Sequence, residues 1–182
     1  MRSNPSPENQ ASKIYSNRYR IHAALPQIDE IPMKDLTHID SDGQARMVDV
    51  GRKPIVRREA MACGEFVAAK ETLDRIVAGN LPKGDALAVA RIAAIAAAKR
   101  TDELIPLCHT LPLDQVEIEF ERVADDRLRV TATSRVSART GVEMESLVAV
   151  AAACLTLYDM TKAVDKALKI ESVHLVKKTK GA

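Results

Sequence analysis

Apolar and polar positions change period several times along the 182-residue chain, and each change marks an element. Residues 55–62, "IVRREAMA", alternate with period two. Val56, Arg58, Ala60 and Ala62 fall on one side, and Ile55, Arg57, Glu59 and Met61 on the other, which predicts a strand. "GEFVAAKETLDRIVAGN" then sets Phe66, Ala69, Leu73, Ile76 and Val77 on one helical stripe, with Gly79 where a helix stops. "KGDALAVARIAAIAAAKRT" predicts a second helix. Asp85 near its start and Lys99 and Arg100 near its end match the helix dipole. Its middle is apolar almost all round, so it should be buried. "QVEIEFE" at 115–121 and "RLRVTAT" at 127–133 both alternate, and "RVADD" between them turns the chain into a hairpin. Thr140 and Glu143 fit a T-x-x-E capping box ahead of a long apolar helix that should reach about residue 167. "SVHLVKK" at 172–178 predicts a last strand.

In order these elements read β–α–α–β–β–α–β, an α+β class. With the second helix as an insertion they form the split β-α-β pattern of ferredoxin-like folds. Helices would cover one face of an antiparallel sheet. The other face is then buried by a partner or stays polar. The strand at 115–121 sets Val116, Ile118 and Phe120 against Gln115, Glu117, Glu119 and Glu121, so it tolerates water on one side. Residues 1–35 are rich in Ser, Asn, Pro and Gln without periodicity and read as a mobile N-terminal extension. Residues 36–182 read as a single domain that carries the chemistry.

Composition adds three points. Aromatic residues are 3% and Trp is absent, so the core must be built of Ala, Val, Ile and Leu. Such a core buries less area per side chain, and oligomerisation is one way to recover it. The net charge of +2 gives no broad pull toward nucleic acid or membrane. Cys63, Cys108 and Cys154 are odd in number and widely spaced, which suits a reducing compartment and argues against a disulfide framework or structural zinc. The first twenty residues lack the apolar centre of a secretory signal, and the longest apolar run, "LVAVAAACL" at 147–155, is too short to span a bilayer. A cytoplasmic location is expected.

Four places could carry chemistry. Asp159 and Lys162, in "LYDMTK", lie three apart and share a helix face. They form either a surface ion pair worth at most about 1 kcal/mol or, beside so apolar a helix, a partly buried acid–base pair. Lys83, between Pro82 and Gly84 at a helix start, is either a simple loop lysine or a phosphate ligand beside free helix amides. In "LIPLCHTLP", adjacent Cys108 and His109 rarely give two metal ligands. Neighbours in an extended segment point to opposite faces, which disfavours a Cys–His nucleophile pair. A core-facing Cys with a packed His, and a ligand-pocket wall with His109 as donor or proton carrier, both remain open. Glu143, Met144 and Glu145 open the last helix, where carboxylates suit the dipole, and a helix start can also bind polar ring groups.

"LTHID…ARMVDV", "LPKGDALAVARIAAIAAAKRT", "LIPLCHTLPL", "TGVEMESLVA" and "LYDMTKA" together closely resemble the cyclic pyranopterin monophosphate synthase family, enzymes of molybdenum cofactor biosynthesis. The likeness runs from about residue 36 to the end. It implies a ferredoxin-like α+β subunit in a hexamer, a trimer of dimers. It implies the substrate (8S)-3′,8-cyclo-7,8-dihydroguanosine 5′-triphosphate, converted to cyclic pyranopterin monophosphate with loss of pyrophosphate. It implies no required metal or organic cofactor, although magnesium can accompany the polyphosphate, and no nucleic-acid or membrane partner. Matched motif by motif, Asp159 resembles the catalytic acid–base residue and Lys162 its partner, and Lys83 resembles a site lysine counted with the catalytic set. Lys99 resembles a further site lysine. Leu107, Cys108 and His109 resemble one substrate wall and Met144 and Glu145 another, with Arg58 and Asp49 as further contacts. Thr110 stands where some relatives carry Pro.

The residue chemistry agrees with this expectation. A polyphosphate needs cations, and Lys83, Lys99 and Arg58 supply them. Ring opening and reclosure move protons, and Asp159, Lys162 and His109 can carry them. A non-catalytic binding module on the same fold would instead leave function intact in Asp159→Asn. An RNA-binding sheet lacks its aromatic platform, since Phe66 and Phe120 are the only Phe. Length adds one more expectation. Glu145 and Asp159 are about 21 Å apart along a helix, and Lys83 and Lys99 about 20 Å. One compact pocket in one chain does not hold all four, which predicts a site shared between two subunits. Mixing Asp159→Asn with Lys83→Ala chains would test whether those two residues come from different subunits.

Overall fold

The computed structural model describes residues 45–181. The expected extension at 1–35, and the "LTHID" stretch, lie outside the described residues. The elements are β1 (Val56–Val67), α1 (Lys70–Val77), α2 (Ala86–Ala98), α3 (Thr101–Leu104), β2 (Gln115–Ala124), β3 (Arg127–Ala138), α4 (Glu143–Thr161) and β4 (Lys169–Lys180). The strands lie in the order β2-β3-β1-β4, and every neighbouring pair is antiparallel. This is the ferredoxin-like α+β arrangement, with α2 inserted and the single turn α3 added.

The sheet's alternation builds the core. Ala60, Ala62 and Phe66 of β1 and Leu128, Val130, Ala132 and Val136 of β3 are buried on one face. Long helices α2 and α4 cover that face and pack on each other. α2 presents Ala86, Ala90, Ala94 and Ala98, one residue per turn and all buried. Such small side chains let the helix backbones approach closely. The opposite face stays polar. Glu59 pairs with Arg135 at 2.6 Å, Glu65 with Arg127 at 2.8 Å and Glu121 with Arg129 at 3.4 Å. α4 has the length and hydropathy of a membrane span, yet half of it is buried in this core.

Several boundaries differ from the sequence expectation. β1 continues through Val67, so Phe66 belongs to the strand rather than to the first helix, which starts at Lys70. Phe66 sits opposite Leu128 on β3 and Ile170 on β4, and pairing with two strands overrides the helical stripe. Gly79 does end α1's overrun, with φ 67°. The capping box does not form. α4 begins at Glu143 with Val142 as its uncapped N-cap, and Glu143 pairs with Lys178 at 3.2 Å instead. α4 stops at Thr161, short of residue 167. Beyond it, Asp165 turns the chain by accepting bonds from the amides of Ala69 and Ala167, both at 2.8 Å. The capped helix is α2, where the Asp85 side chain accepts from the Ala88 amide at 3.0 Å.

Candidate active site

A tight turn delivers Lys83 to the last turn of α4. The Gly84 amide donates to the Leu81 carbonyl at 2.9 Å, with Pro82 and Lys83 at the corner and Gly84 at φ 92°. Pro82 presets the corner, and Gly84 takes the left-handed conformation at no steric cost. Lys83 Nζ then donates to Asp159 Oδ2 at 2.8 Å and to the Asp159 backbone carbonyl at 3.0 Å. Lys162 Nζ lies 2.8 Å from the other carboxylate oxygen, Oδ1. Asp159 is therefore held between two ammonium groups while its side chain remains 55% exposed. Hydrogen bonds from Lys162 first and Lys83 second, reinforced by their charges, pull its pKa down to about 2. In turn Asp159 holds the Lys162 ammonium above its ordinary range. So paired, the carboxylate is a weak base. An anion that draws the lysines away restores its basicity.

The other end of α4 carries a cavity of about 410 Å³. α3 leads into a turn in which the Cys108 amide donates to the Ile105 carbonyl at 3.0 Å, with Pro106 at the corner. The segment is therefore turned over residues 105–108 and without regular structure from 109 to 113, rather than extended throughout. Leu107, Cys108 and His109 line the cavity together with Met144 and Glu145 from the first turn of α4. His109 Nε2 donates to the Val48 carbonyl at 2.9 Å, which fixes its ring. Glu145 is only 4% exposed. Burial, followed by the charges of Glu143 and Asp102, pushes its carboxyl up to about 7. Burial and the Glu145 and Asp102 charges also push the Cys108 thiol up. A thiol held protonated beside carboxylates is a wall, not a nucleophile.

The remaining expected residues are placed unevenly. Arg58 lines an adjoining cavity of about 350 Å³, which shares Gly141 and Glu143 with the first. Asp49 does not line the first cavity, although its neighbours Val48 and Val50 do. Its carboxylate accepts from the Gly51 amide at 2.8 Å and closes an exposed turn. Lys99 is the exposed C-cap of α2 and reaches none of these cavities. The sequence reading missed Lys53, which lines the Glu145 cavity, and did not carry Glu143, which also lines it, into the expected substrate wall. A cation within "GRKP" was a faint signal for the former. Among the described residues, no three His, Cys, Asp or Glu side chains converge as a metal site.

Lys83, Asp159 and Lys162 thus form one cluster, and Leu107, Cys108, His109, Met144 and Glu145 another. One unbroken helix separates them by about 21 Å. Lys83 and Asp159 touch within one chain, so mixing variants of that pair cannot separate the two halves. The two clusters together define a class: a ferredoxin-like α+β subunit with a carboxylate clamped between two lysines at one end of its long helix and a cavity lined by a buried carboxylate at the other.

Comparison with known proteins makes the class specific. The MoaC family model matches residues 47–181, and the chain belongs to the MoaC family. It is 56% identical over 149 residues to the cyclic pyranopterin monophosphate synthase of Novosphingobium aromaticivorans, covering 82% of this chain and 94% of that protein. The synthase of Herpetosiphon aurantiacus is 56% identical over 148 residues, 81% of this chain and 90% of the relative. That of Roseiflexus sp. is 53% identical over 150 residues, 82% and 95% of the two chains.

Proposed function

We propose that this chain is a cyclic pyranopterin monophosphate synthase of molybdenum cofactor biosynthesis. It converts (8S)-3′,8-cyclo-7,8-dihydroguanosine 5′-triphosphate to cyclic pyranopterin monophosphate and pyrophosphate, a phosphorus–oxygen lyase reaction. The observation that carries the reading is Asp159 clamped between Lys83 and Lys162, each 2.8 Å from a carboxylate oxygen. Anionic substrate competes for the lysines and frees Asp159 to move protons during ring opening and reclosure. The ring system enters the Glu145 cavity, where Leu107, Cys108, His109 and Met144 form the walls. Arg58 contacts the substrate from the adjoining cavity, and Lys99 and Asp49, which line neither cavity in their own chain, contact it from a neighbouring subunit. The chemistry is assigned to side chains alone, and magnesium, where it takes part, arrives with the polyphosphate.

The site is assembled between subunits of a homohexamer, a trimer of dimers. Two observations support this. A single chain holds its two clusters about 21 Å apart. In addition, the outer side of the helix layer exposes Ile92 and Leu155, 70% and 61% open, along with Val89 and Tyr158. Tyr158 adjoins Asp159, so a partner covering this apolar surface would also reach the cluster. A cytoplasmic location completes the proposal, and the three free cysteines suit it.

The test is turnover. Purified protein supplied with the cyclo-dihydroguanosine triphosphate should release pyrophosphate and form the cyclic phosphate product. Asp159→Asn should lower the rate at least about a hundredfold, the usual scale for losing an acid–base group. Binding without product would identify a ligand-binding module instead.

A further inference from the structure

The turn that follows α4 carries the carboxylate of Asp165, which is only 8% exposed. Both of its oxygens are engaged. Oδ1 accepts from the Ala167 amide and Oδ2 from the Ala69 amide, each at 2.8 Å. The first bond closes the turn on itself. The second crosses 96 positions of sequence to the N-cap residue of α1, a helix with no capping side chain of its own. Bonds from the Ala167 amide first, then from Ala69, Thr72 and Lys166, hold the Asp165 carboxyl below its usual range against the opposing pull of burial. A buried carboxylate satisfied in this way is a fixed point, and α1 is itself anchored in the core through Leu73 and Ile76.

Lys162 has no comparable anchor. It is the C-cap of α4, and a helix end frays unless the chain beyond it is pinned. Its ammonium lies 2.8 Å from Asp159 Oδ1, but the two side chains are 58% and 55% exposed. An exposed ion pair three residues apart is too weak to hold a helix end in one place. The backbone beyond it does so instead. The Thr161 carbonyl accepts from the amides of Val164 at 2.9 Å and Asp165 at 3.1 Å, so the helix passes directly into the turn that Asp165 secures. Lys166 Nζ donates to the Lys162 carbonyl at 2.6 Å and tightens the same turn. Among the described residues, Asp165 is the side chain of this turn that hydrogen-bonds outside α4 and the turn itself. It lines neither the Glu145 cavity nor the Arg58 cavity.

We infer that Asp165 is a positioning residue for the Asp159–Lys162 pair: it ties the turn after α4 to the start of α1 and so holds the Lys162 ammonium on the Asp159 carboxylate. That the pair moves protons rests on the proposed function. The tie rests on the hydrogen bonds alone.

Lysine labelling reads the tie without turnover. Full-length protein is treated with an acetylating reagent, and the rate at Lys162 is followed by mass spectrometry with Lys177 of β4 as internal reference. An ammonium held on a carboxylate reacts slowly. Asp165→Ala removes both acceptors, and Lys162 should then react about two- to fivefold faster, the range open to an exposed pair. Asp165→Asn keeps one acceptor oxygen and should fall between parent and Asp165→Ala. It carries the comparison should the alanine variant not fold. In an Asp159→Asn background the loss of Asp165 should add nothing, because Lys162 has no carboxylate to be held on. Turnover reads the consequence. In Asp165→Ala kcat should fall by about tenfold or more, and it should fall no further where Lys162→Ala is already present. A carboxylate that only stabilises the fold would lower the rate in both backgrounds. Unchanged Lys162 labelling in both Asp165 variants, or an equal loss of kcat with and without Lys162, overturns the proposal. Asp165-dependent labelling in a protein without turnover leaves the tie standing and removes the enzyme reading. Full turnover in Asp165→Ala does the reverse.

Discussion

Glu145 is a carboxyl group held almost wholly out of water. Its carboxyl titrates at about 7 in the folded chain and at 4.5 when unfolded, so the fold binds the extra proton. The stability this proton contributes is fully present below pH 4.5 and is lost as pH rises through 7. Glu145→Gln removes the dependence. The variant should match the parent in thermal melts near pH 4 and exceed it at pH 8, by on the order of 2–3 kcal/mol. Parallel melting curves at both pH values would refute the buried-acid description. The same group should shape catalysis. A purine-derived ring offers donors that an ionised carboxylate accepts, so kcat/KM should fall as pH drops below about 7, and that limb should vanish in Glu145→Gln. Asp159, held ionised down to about 2, cannot supply it. At this scale the sequence was informative wherever spacing alone brought residues together. Asp159 and Lys162 share a helix face three apart, and Met144 and Glu145 share a helix start. It could not show that the Pro82–Gly84 turn aims Lys83 at Asp159, because that contact spans 76 positions. Lys53 and the role of Glu143 were hidden for the same reason.

At the level of elements, α4 governs both clusters, and its seat on the sheet depends on Gly64. A methyl group there would lie 2.8 Å from Val150 Cγ1 on α4 and 3.0 Å from Val173 Cγ2 on β4. Gly64→Ala must therefore shift the helix or the edge strand, and we expect a loss of about 1–3 kcal/mol in urea unfolding. An unchanged midpoint would mean the interface yields freely. Asp85→Ala should cost about 1 kcal/mol through its lost helix cap. Element types followed from periodicity: four strands, the two long helices and the hairpin were all legible. Their ends were not, because tertiary contacts set them. Leu128 and Ile170 draw Phe66 into β1, Lys178 takes Glu143 from the capping box, and Asp165 stops α4 by bonding Ala69. The single turn α3 is too short to carry a period of its own.

The whole molecule has its acid–base cluster at one end of the helix pair and its ring cavity, with the Arg58 cavity beside it, at the other. On the proposed function, a subunit with this layout needs a second copy to bring its two clusters into one site. Two copies placed so that the C-terminal end of one α4 meets the N-terminal end of its neighbour's would complete each site, and the exposed Ile92 and Leu155 surface would be covered where they meet. The most direct measurement mixes two inactive proteins. Asp159→Asn chains keep the Glu145 cavity, and Glu145→Gln chains keep the acid–base cluster. Each alone should release little pyrophosphate from the cyclo-dihydroguanosine triphosphate. After subunit exchange in equal amounts, roughly a quarter of the sites should combine both intact halves in a symmetric assembly, and activity should return in that proportion. No recovery, with exchange demonstrated by mass spectrometry, would contradict a site shared between chains.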